Sequence, residues 1–586
     1  MLRFASDFVF FAQRPQVTDW LTPVWLLSVG IAVGFVLAIL MLFKLAVLQK
    51  IPLFNSVQPK TTKYHVFSLL LASAYVVLFL LCYRWQYGAL RVDGDLIFAL
   101  AFVIPLCLCV GYGAWRLVGK RMAGETWSFA TEGFLGWMNR IGIAFLIFAV
   151  LGAILAPFNG FGIVKFVDDP GEMMSSLARL PFAGSQVVDL EVPPSPINHS
   201  GDTAQLHFSG SELVGISVET NQQIELSTEP ITPETSRSLV YDIEANDEPI
   251  VIAKSYARLG EKDYDTFYVN NLGAMPASVS IKVRTAPVIP QVAIIPVAAF
   301  FVVMIYLFYM LFCVMAPKVA AIALSTFKTE VSQPLYLLVV VIGMAFIVTS
   351  IFIPYNTFGE DIKLYKDSGL TLIRVLAIFT AIWAASKSVA EEIEGRTALT
   401  VLSKPVGRRQ FIFGKFSGIA LAIGLMFIVL GLWFVIWTSY KPIYDGRESS
   451  QKVEDWAQCF TEATYIIPAI FLCFLEVIVF VAISVSLSTR FGILPNFLIC
   501  FSIYILGHLT PMMVQSDLVE FAPVVTFSNL IAVIFPVLDH FDVRAAVNNN
   551  ELVPPQYLGW AIIYTFLYGL IAMLLSLVLF EDRDLA

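Results

Sequence analysis

The amino-acid sequence predicts a polytopic α-helical membrane protein with about eleven transmembrane helices and one extracytoplasmic all-β, sandwich-like domain. Three observations predict this class. Hydrophobic residues make up 58% of the 586 residues and charged residues only 14%, whereas soluble proteins contain about 25% charged residues. Apolar runs of about 20 residues, the length that crosses a bilayer as a helix, recur along the chain. One internal region instead alternates short apolar segments with polar residues and turns.

Eleven apolar runs are long enough to be transmembrane helices, given the thickness of a hydrocarbon core. The first run extends too far to be a cleaved signal sequence, whose apolar region is about 7–15 residues long, so we expect a retained helix. The runs are Trp25–Val47, His65–Cys82, Leu96–Trp115, Ile141–Pro157, Val292–Met315, Leu335–Ile353, Leu370–Ala385, Ile412–Trp437, Thr464–Leu487, Ile493–Leu509 and Tyr557–Phe580.

The distribution of lysine and arginine predicts the orientation of these helices, because short cytoplasmic loops are enriched in both residues. With the N-terminus outside, the inner loops hold fifteen of them, and the outer tail and short loops hold nine. We therefore expect a protein integral to the plasma (inner) membrane. The N-terminus and the β-domain would lie outside, and the C-terminus would be cytoplasmic.

The region from Asn159 to Pro290 differs from the rest of the chain in both charge and pattern. It contains 18 acidic and 8 basic residues, a net charge of −10, against −8 for the whole chain. Period-2 apolar segments about 8–12 residues apart predict a β-sandwich or barrel. Docking of a partner, substrate recognition and covering of the mouth of the transmembrane region all stay open as its role. The segments are Gln186–Val192, Ala204–Phe208, Leu213–Val218, Ile224–Ser227, Leu239–Ile243, Ile250–Ala253, Thr266–Val269 and Ser278–Val283.

No motif for nucleotide binding or catalysis occurs in the sequence. The Walker A motif requires G-x-x-x-x-G-K-[ST], whose hydroxyl ligates magnesium, and the Gly-Lys pairs at Gly119 and Gly414 both lack that hydroxyl. Zinc-protease, serine-hydrolase and C-x-x-C patterns do not occur either. We therefore expect a chain that is not an enzyme and that binds no cofactor, metal or nucleic acid. If ATP drives this protein, the nucleotide binds to another chain.

Charged residues within apolar runs are a further place to look for function, because a charge at bilayer depth costs about 2.5–3.5 kcal/mol on insertion scales. Glu476 lies near mid-membrane in its run. It is either a proton or substrate contact of a translocation pathway or a carboxyl that stabilises a helix contact, and the sequence offers it no obvious partner. Arg374 lies near the outer end of its run, so we expect its side chain to extend to the membrane interface.

The most informative segment is the predicted cytoplasmic connection 386–415. Its first part predicts a helix that continues out of the membrane, carries three glutamates in water and stops at Gly395. Thr397–Ser403 predicts a short amphipathic turn whose apolar side chains are available to a partner, and Pro405 and Gly407 end this turn. The three glutamates are Glu391, Glu392 and Glu394.

The last part of this connection is basic. We expect Arg408, Arg409 and Lys415 to anchor the following helix at the inner headgroups. A bare linker between two membrane helices needs neither a basic nor an apolar element. The segment therefore predicts a partner-binding role, and an interfacial helix is the alternative.

The run EEIEGRTALTVLSKPVGRRQFIFGKF resembles the cytoplasmic segment of type-2 ABC transporter permeases, most closely those grouped with multi-copper enzyme maturation. The resemblance extends from about residue 316 to the end, where the chain is similar to the family's F-x-x-R-D ending. It implies an amphipathic elbow helix at Lys318–Ser332, six transmembrane helices and an outer re-entrant hairpin at 523–538. The implied organisation is an N-terminal membrane region of four helices at 1–158, the β-domain at 159–290, a fifth helix at 291–316 and the permease domain at 317–586.

The resemblance implies a transmembrane permease subunit of an ATP-driven transporter or exporter. Its implied partners are an ABC ATP-binding subunit, which would hold ATP and magnesium, a second permease subunit and the lipid bilayer. Two other functions stay open: a membrane scaffold or sensor whose β-domain binds an outer ligand, and an ion-coupled secondary transporter that uses Glu476. The residues implied in coupling to the ATPase are Glu391, Glu392, Glu394, Gly395, Arg396, Thr397, Leu399, Leu402, Lys404, Pro405, Arg408 and Arg409.

Overall fold

The chain divides into two compact units, one within Asp169–Ile294 that is rich in β-strands and one built of helices from before and after it. The predicted spans His65–Cys82 and Leu96–Trp115 lie almost wholly outside the described residues. The computed structural model describes residues 19–48, 133–155, 170–180, 184–194, 202–228, 240–253, 262–353, 360–394, 407–448, 455–515 and 535–581, with isolated residues between 68 and 104.

The helices of the described residues follow the predicted apolar runs. A short 3-10 helix, Leu538–Phe541, precedes the last two helices. In chain order the helices are α1 (Leu21–Leu48), α2 (Gly133–Leu155), α3 (Pro170–Arg179, in the β-rich unit), α4 (Ile294–Met315), α5 (Pro317–Val331), α6 (Pro334–Ile351), α7 (Asp361–Ala385), α8 (Arg408–Glu448), α9 (Trp456–Tyr465), α10 (Ile467–Ser488), α11 (Ile493–Gln515), α12 (Arg544–Asn548) and α13 (Pro555–Glu581).

Within the described residues, eight helical segments are long and apolar enough to cross a membrane, and Ile493–Leu509 is a shorter apolar helix. These nine correspond to nine of the predicted runs. The largest difference is at Leu370–Ala385, where the helix already begins at Asp361 and continues through a π-helical turn, Ser386–Ala390, to Glu394. Apolar length locates the part of a helix that lipid surrounds, but polar turns extend beyond it.

The β-rich unit contains two four-stranded antiparallel sheets, with strand orders β1-β8-β3-β6 and β2-β7-β4-β5. Each of the eight predicted segments overlaps one strand, so the predicted β-sheet region is confirmed at 184–285, while the helix α3 within the predicted domain corrects the all-β expectation. The strands are β1 (Gly184–Val192), β2 (Asp202–Ser209), β3 (Leu213–Thr220), β4 (Ile224–Ser227), β5 (Val240–Ile243), β6 (Asn246–Ala253), β7 (Asp263–Asn271) and β8 (Ala277–Thr285).

Strand alternation builds one apolar core from both sheets. Ile216 in β3 lies opposite Val283 in β8, and both side chains are fully buried. Phe267 and Val269 of β7 in the other sheet belong to the same cluster. Since side chains two apart share a face of a strand, the period-2 pattern is what places these residues inside.

In the helical unit, α1 approaches α4 closely at two glycines four residues apart. A Cβ added at Gly30 would lie 2.8 Å from Ala298 Cβ, and one added at Gly34 would lie 2.7 Å from Ala299 Cα. Membrane helices use this small-xxx-small spacing to bring backbones together. The N-terminal helices therefore pack as part of one bundle.

A helix, α5, forms where the elbow helix is predicted, and it packs on the first half of α8. A Cβ added at Gly414 would lie 2.6 Å from Ile322 Cβ, and one added at Gly418 would lie 2.6 Å from the Ala323 carbonyl oxygen. The elbow is therefore fixed to the helix that follows segment 386–415.

The segment before α13 folds back against α11. Leu538, in the 3-10 helix, lies so close to Gly507 that an added Cβ there would be 2.7 Å from the Leu538 Cδ1. Of the predicted hairpin 523–538, only residues 535–538 are described, and the ordered elements continue to Asn548.

Candidate functional site

An ion pair joins the two ends of segment 386–415. The Glu392 Oε1 lies 2.5 Å from the Lys415 Nζ, with side chains 34% and 8% exposed. Glu392 is therefore only partly in water and Lys415 is buried, which differs from the expectation for both, because the helical turn Glu391–Glu394 beyond α7 packs beside α8 and each charge has the other as its partner. Glu391 is exposed, as expected, and so are Arg408 and Arg409.

The middle of the segment lies outside the described residues. Its predicted contact residues therefore remain predictions, as does the side chain of Glu394. These middle residues are Gly395, Arg396, Thr397, Leu399, Leu402, Lys404 and Pro405.

The elbow helix contributes a buried carboxyl to the same place. Glu330 of α5 is 4% exposed, and the Gln333 side-chain amide donates a hydrogen bond of 2.8 Å to its Oε2. Burial raises the pKa of Glu330 to about 7, and the nearby positive charges of Lys415 and Lys387 oppose this rise. Glu330, Gln333, Glu392 and Lys415 together form what we call the elbow cluster, which links α5, α7 and α8.

Hydrogen bonds also hold the point where α7 becomes a π-helical turn. The buried Asn496 of α11 has its Nδ2 within 2.8 Å of the Ser386 Oγ and 2.9 Å of the hydroxyls of Ser484 and Ser488. Single π-turns inside α-helices occur frequently at functional sites. Ser386, the first residue of segment 386–415, is thus hydrogen-bonded to α11 through Asn496, whose amide also contacts α10.

Deeper in the bundle, Arg374 of α7 and Glu476 of α10 form a buried ion pair. The Arg374 Nη1 lies 3.2 Å from the Glu476 Oε2, and the side chains are 4% and 0% exposed. The predictions that Arg374 extends to the interface and that Glu476 has no partner were both wrong. An unpaired charge at either position would cost several kcal/mol, so pairing is favoured over exposure at the interface.

A histidine extends this pair to a third helix. The His508 Nε2 of α11 lies 3.3 Å from the Glu476 Oε1, and the His508 side chain is 24% exposed. Arg374, Glu476 and His508 form what we call the buried triad. No group of three His, Cys, Asp or Glu side chains in the described residues is arranged to hold a metal ion.

A second charged pair, absent from the sequence predictions, lies near the triad. Arg544 of α12 donates hydrogen bonds to Asp542, and its charge also interacts with that of Arg374. Burial disfavours the charged form of Asp542, but the hydrogen bonds from Arg544 outweigh it and lower the pKa of that carboxyl. The two members of this pair are close in sequence, but their proximity to Arg374 depends on the packing of distant segments and has no sequence signal.

Another buried lysine joins α7 to α9, to α12 and to the residues just after α12. Lys366 is 1% exposed, forms an ion pair with Glu462, and donates to the Val547 carbonyl at 3.2 Å and to the Asn550 Oδ1 at 3.1 Å. This lysine is one of the nine cations that the sequence assigns to the outer tail and short loops. Because its ammonium has three donors, it satisfies partners on three segments at once.

Residues 355–585 match the family described as ABC-2 family transporter protein. This part of the chain is an ABC-2 transporter domain. The predicted resemblance to ABC-2 type permeases is thereby confirmed, and the subgroup stays a prediction. The ABC-2 domain comprises α7 to α13, including segment 386–415 and the buried triad, while the elbow helix α5 precedes it. No curated protein matches the chain.

Proposed function

We propose that this chain is the transmembrane permease subunit of an ATP-driven transporter or exporter. The ABC-2 domain at 355–585 carries the proposal. Eight helical segments of membrane length support an integral transport component. ATP and magnesium would be bound by a separate ABC ATP-binding subunit, because the sequence of this chain has no phosphate-binding motif.

Segment 386–415 is the proposed contact with that ATPase, with the contact centred on Thr397–Lys404. The pair between Glu392 and Lys415 joins the two ends of the segment, and Glu330 ties the same point to the elbow helix. A push on the segment by a closing ATPase would therefore move α5, α7 and α8 together. Glu391, Arg408 and Arg409, which are exposed beside it, would contribute charge to the contact.

The proposed assembly has two permease subunits around one pathway and two ATPase chains on the cytoplasmic side. In this orientation segment 386–415 and the C-terminus are cytoplasmic, and the N-terminus and the β-rich unit are outside. The excess of Lys and Arg in the corresponding loops supports this orientation.

Glu476 remains the proposed residue of the translocation pathway, now as a member of the buried triad. The partial exposure of His508 supports this role, because it gives the triad an accessible edge. An ion-coupled transporter that uses Glu476 is less well supported, since the Glu476 carboxyl is already paired with Arg374. Movement of α7 relative to α10 would break or re-form this ion pair. The ATP-driven cycle would then alternate between a paired and an unpaired Glu476.

The test is co-purification of the chain with a cytosolic ATPase. We expect the double variant Leu399→Ala/Leu402→Ala to lose both the bound ATPase and its stimulation, because it removes the apolar side chains of the predicted contact. Leu552→Ala is the matched control, since Leu552 is 70% exposed and lies near the opposite end of the ABC-2 domain. An unchanged complex with unchanged ATPase stimulation in the double variant would contradict the proposal.

A further inference from the structure

A basic cavity lies where α5 and α8 begin and α13 ends. Its volume is about 450 Å³, and Lys318 of α5, Arg408 and Arg409 of α8, and Leu577 and Glu581 of α13 line it. Among the described residues that line it, three side chains are cationic and one is a carboxylate. Positively charged linings favour anionic ligands.

Arg408 is bound to the end of α13 and still has hydrogen-bond donors for a ligand. Its Nη1 donates to the Glu581 carbonyl oxygen at 3.0 Å, and its guanidinium carbon lies 5.8 Å from the centre of the Phe580 ring. A guanidinium has five N–H donors, so a single bond to a carbonyl leaves others for phosphate oxygens. The contact with α13 also holds Arg408 in place, which lowers the entropy lost on binding.

An exposed apolar stripe on α13 leads to the cavity. Ile571, Leu574, Leu575 and Val578 are each at least 52% exposed and follow one another at helical spacing. Glu581, which lines the cavity, lies one turn beyond Val578. A ligand with a charged head in the cavity would therefore have an apolar surface beside it for its tail.

We propose that this cavity binds the headgroup of an anionic phospholipid, whose acyl chains lie along α13. Basic pockets between membrane helices on the cytoplasmic side are known to bind such headgroups. The proposal places the lipid in the inner leaflet, and in this respect it rests on the proposed function and orientation. A bound lipid would connect the elbow helix, the start of α8 and the end of α13. It would thereby stabilise the position of the last residues of segment 386–415, which begin α8.

The test measures lipid binding to the purified full-length chain in detergent, without any ATPase. Short-chain phosphatidylglycerol, phosphatidylcholine with the same chains, and inorganic phosphate are titrated separately, and the midpoint of thermal unfolding is followed. We expect phosphatidylglycerol alone to raise this midpoint. In Lys318→Gln/Arg409→Gln the apparent Kd should rise at least tenfold, because two of the three cations are lost.

Two further variants make the result specific. Lys328→Gln/Lys363→Gln removes the same charge from an exposed and a half-buried lysine outside the cavity and should keep wild-type binding. Glu581→Gln removes the carboxylate from the cavity and should bind phosphatidylglycerol more tightly than wild type, which tests the site even if the double variant does not fold.

Three outcomes would overturn the proposal. Equal stabilisation by phosphatidylcholine would show that charge is not recognised, and equal stabilisation by inorganic phosphate would make the cavity a phosphate site. Equal losses in the cavity variant and its control would place binding elsewhere. None of these results involves an ATPase, so the proposed permease function would stand or fall separately.

Discussion

Within the buried triad, Glu476 and Arg374 neutralise each other's charge inside the helix bundle. Glu476 and Arg374 are 102 residues apart in sequence, and neither has a spacing pattern that indicates the other. Sequence alone therefore identified Glu476 as unusual but assigned Arg374 to the interface. Only the packing of α7 on α10 shows that each residue is present because of its partner.

The stability of the bundle should depend on keeping both charges or neither. Glu476→Gln leaves a buried guanidinium without a counter-charge, and breaking such a pair costs about 3–5 kcal/mol. We expect the midpoint of thermal unfolding in detergent to fall clearly. The control is Arg374→Met/Glu476→Met, which should unfold close to wild type because apolar replacement of a buried pair is often neutral. Equal destabilisation of both variants would show that the pair does not act as a unit.

Glu330 should make stability depend on pH near neutrality. Its pKa is about 7 in the folded chain against an ordinary value of 4.5, so the folded state holds the proton more tightly. The resulting stabilisation is complete below about pH 4.5 and is lost as the pH rises through 7. Wild type should therefore lose a few degrees more in its unfolding midpoint than Glu330→Gln between pH 5.5 and 8. Glu360→Gln, at an exposed carboxyl, is the control and should follow wild type.

At the scale of elements, the contact between the elbow helix and α8 depends on two glycines. An Ala at Gly414 or Gly418 would place its Cβ 2.6 Å from atoms of α5. Overpacking of this kind costs about 1–3 kcal/mol, so each variant should unfold at a lower temperature. Gly424→Ala is the matched control in the same helix, because its nearest neighbour, Phe474, would be 3.7 Å away. If all three variants unfold alike, the close approach of α5 is not what stabilises this contact.

Elements were predictable where one pattern dominates the sequence. The period-2 alternation located every strand, because a strand with one buried face requires it. Apolar length located the membrane helices but not their ends, as α7 shows by beginning at Asp361 and continuing to Glu394. The π-turn at Ser386–Ala390 had no sequence signal, because hydrogen bonds from distant residues hold it.

At the scale of the helical unit, the N-terminal helices pack against both ends of the membrane part. Trp20, just before α1, stacks on Trp437 near the end of α8, and Phe134 at the start of α2 contacts Phe327 of the elbow. Cations on both sides of the charge count are buried. Lys366 and Lys441, two of the nine assigned to the outer side, are 1% exposed, and Lys415, one of the fifteen assigned to the inner side, is 6% exposed. The orientation therefore stays a prediction.

The family could be predicted from one short run, and the candidate site only in part. The acidic, apolar and basic residues of 386–415 predict a partner-binding segment, and only the resemblance to type-2 ABC permeases implies that it couples to an ATPase. The elbow cluster behind it combines residues from α5, α7 and α8, and Glu330 belongs to a helix whose sequence gives no sign of burial. The elbow cluster therefore depends on packing between distant segments, which sequence periodicity does not predict.

The central claim is that segment 386–415 contacts a separate ATPase, and site-specific photo-crosslinking in cells tests it most directly. A photoreactive amino acid replaces Leu399 in the full chain, or Leu552 as the control. The account predicts that position 399 crosslinks to an ATP-binding protein identified by mass spectrometry, and that position 552 does not. Absence of any ATP-binding protein among the products at position 399, or equal crosslinking at both positions, would contradict it.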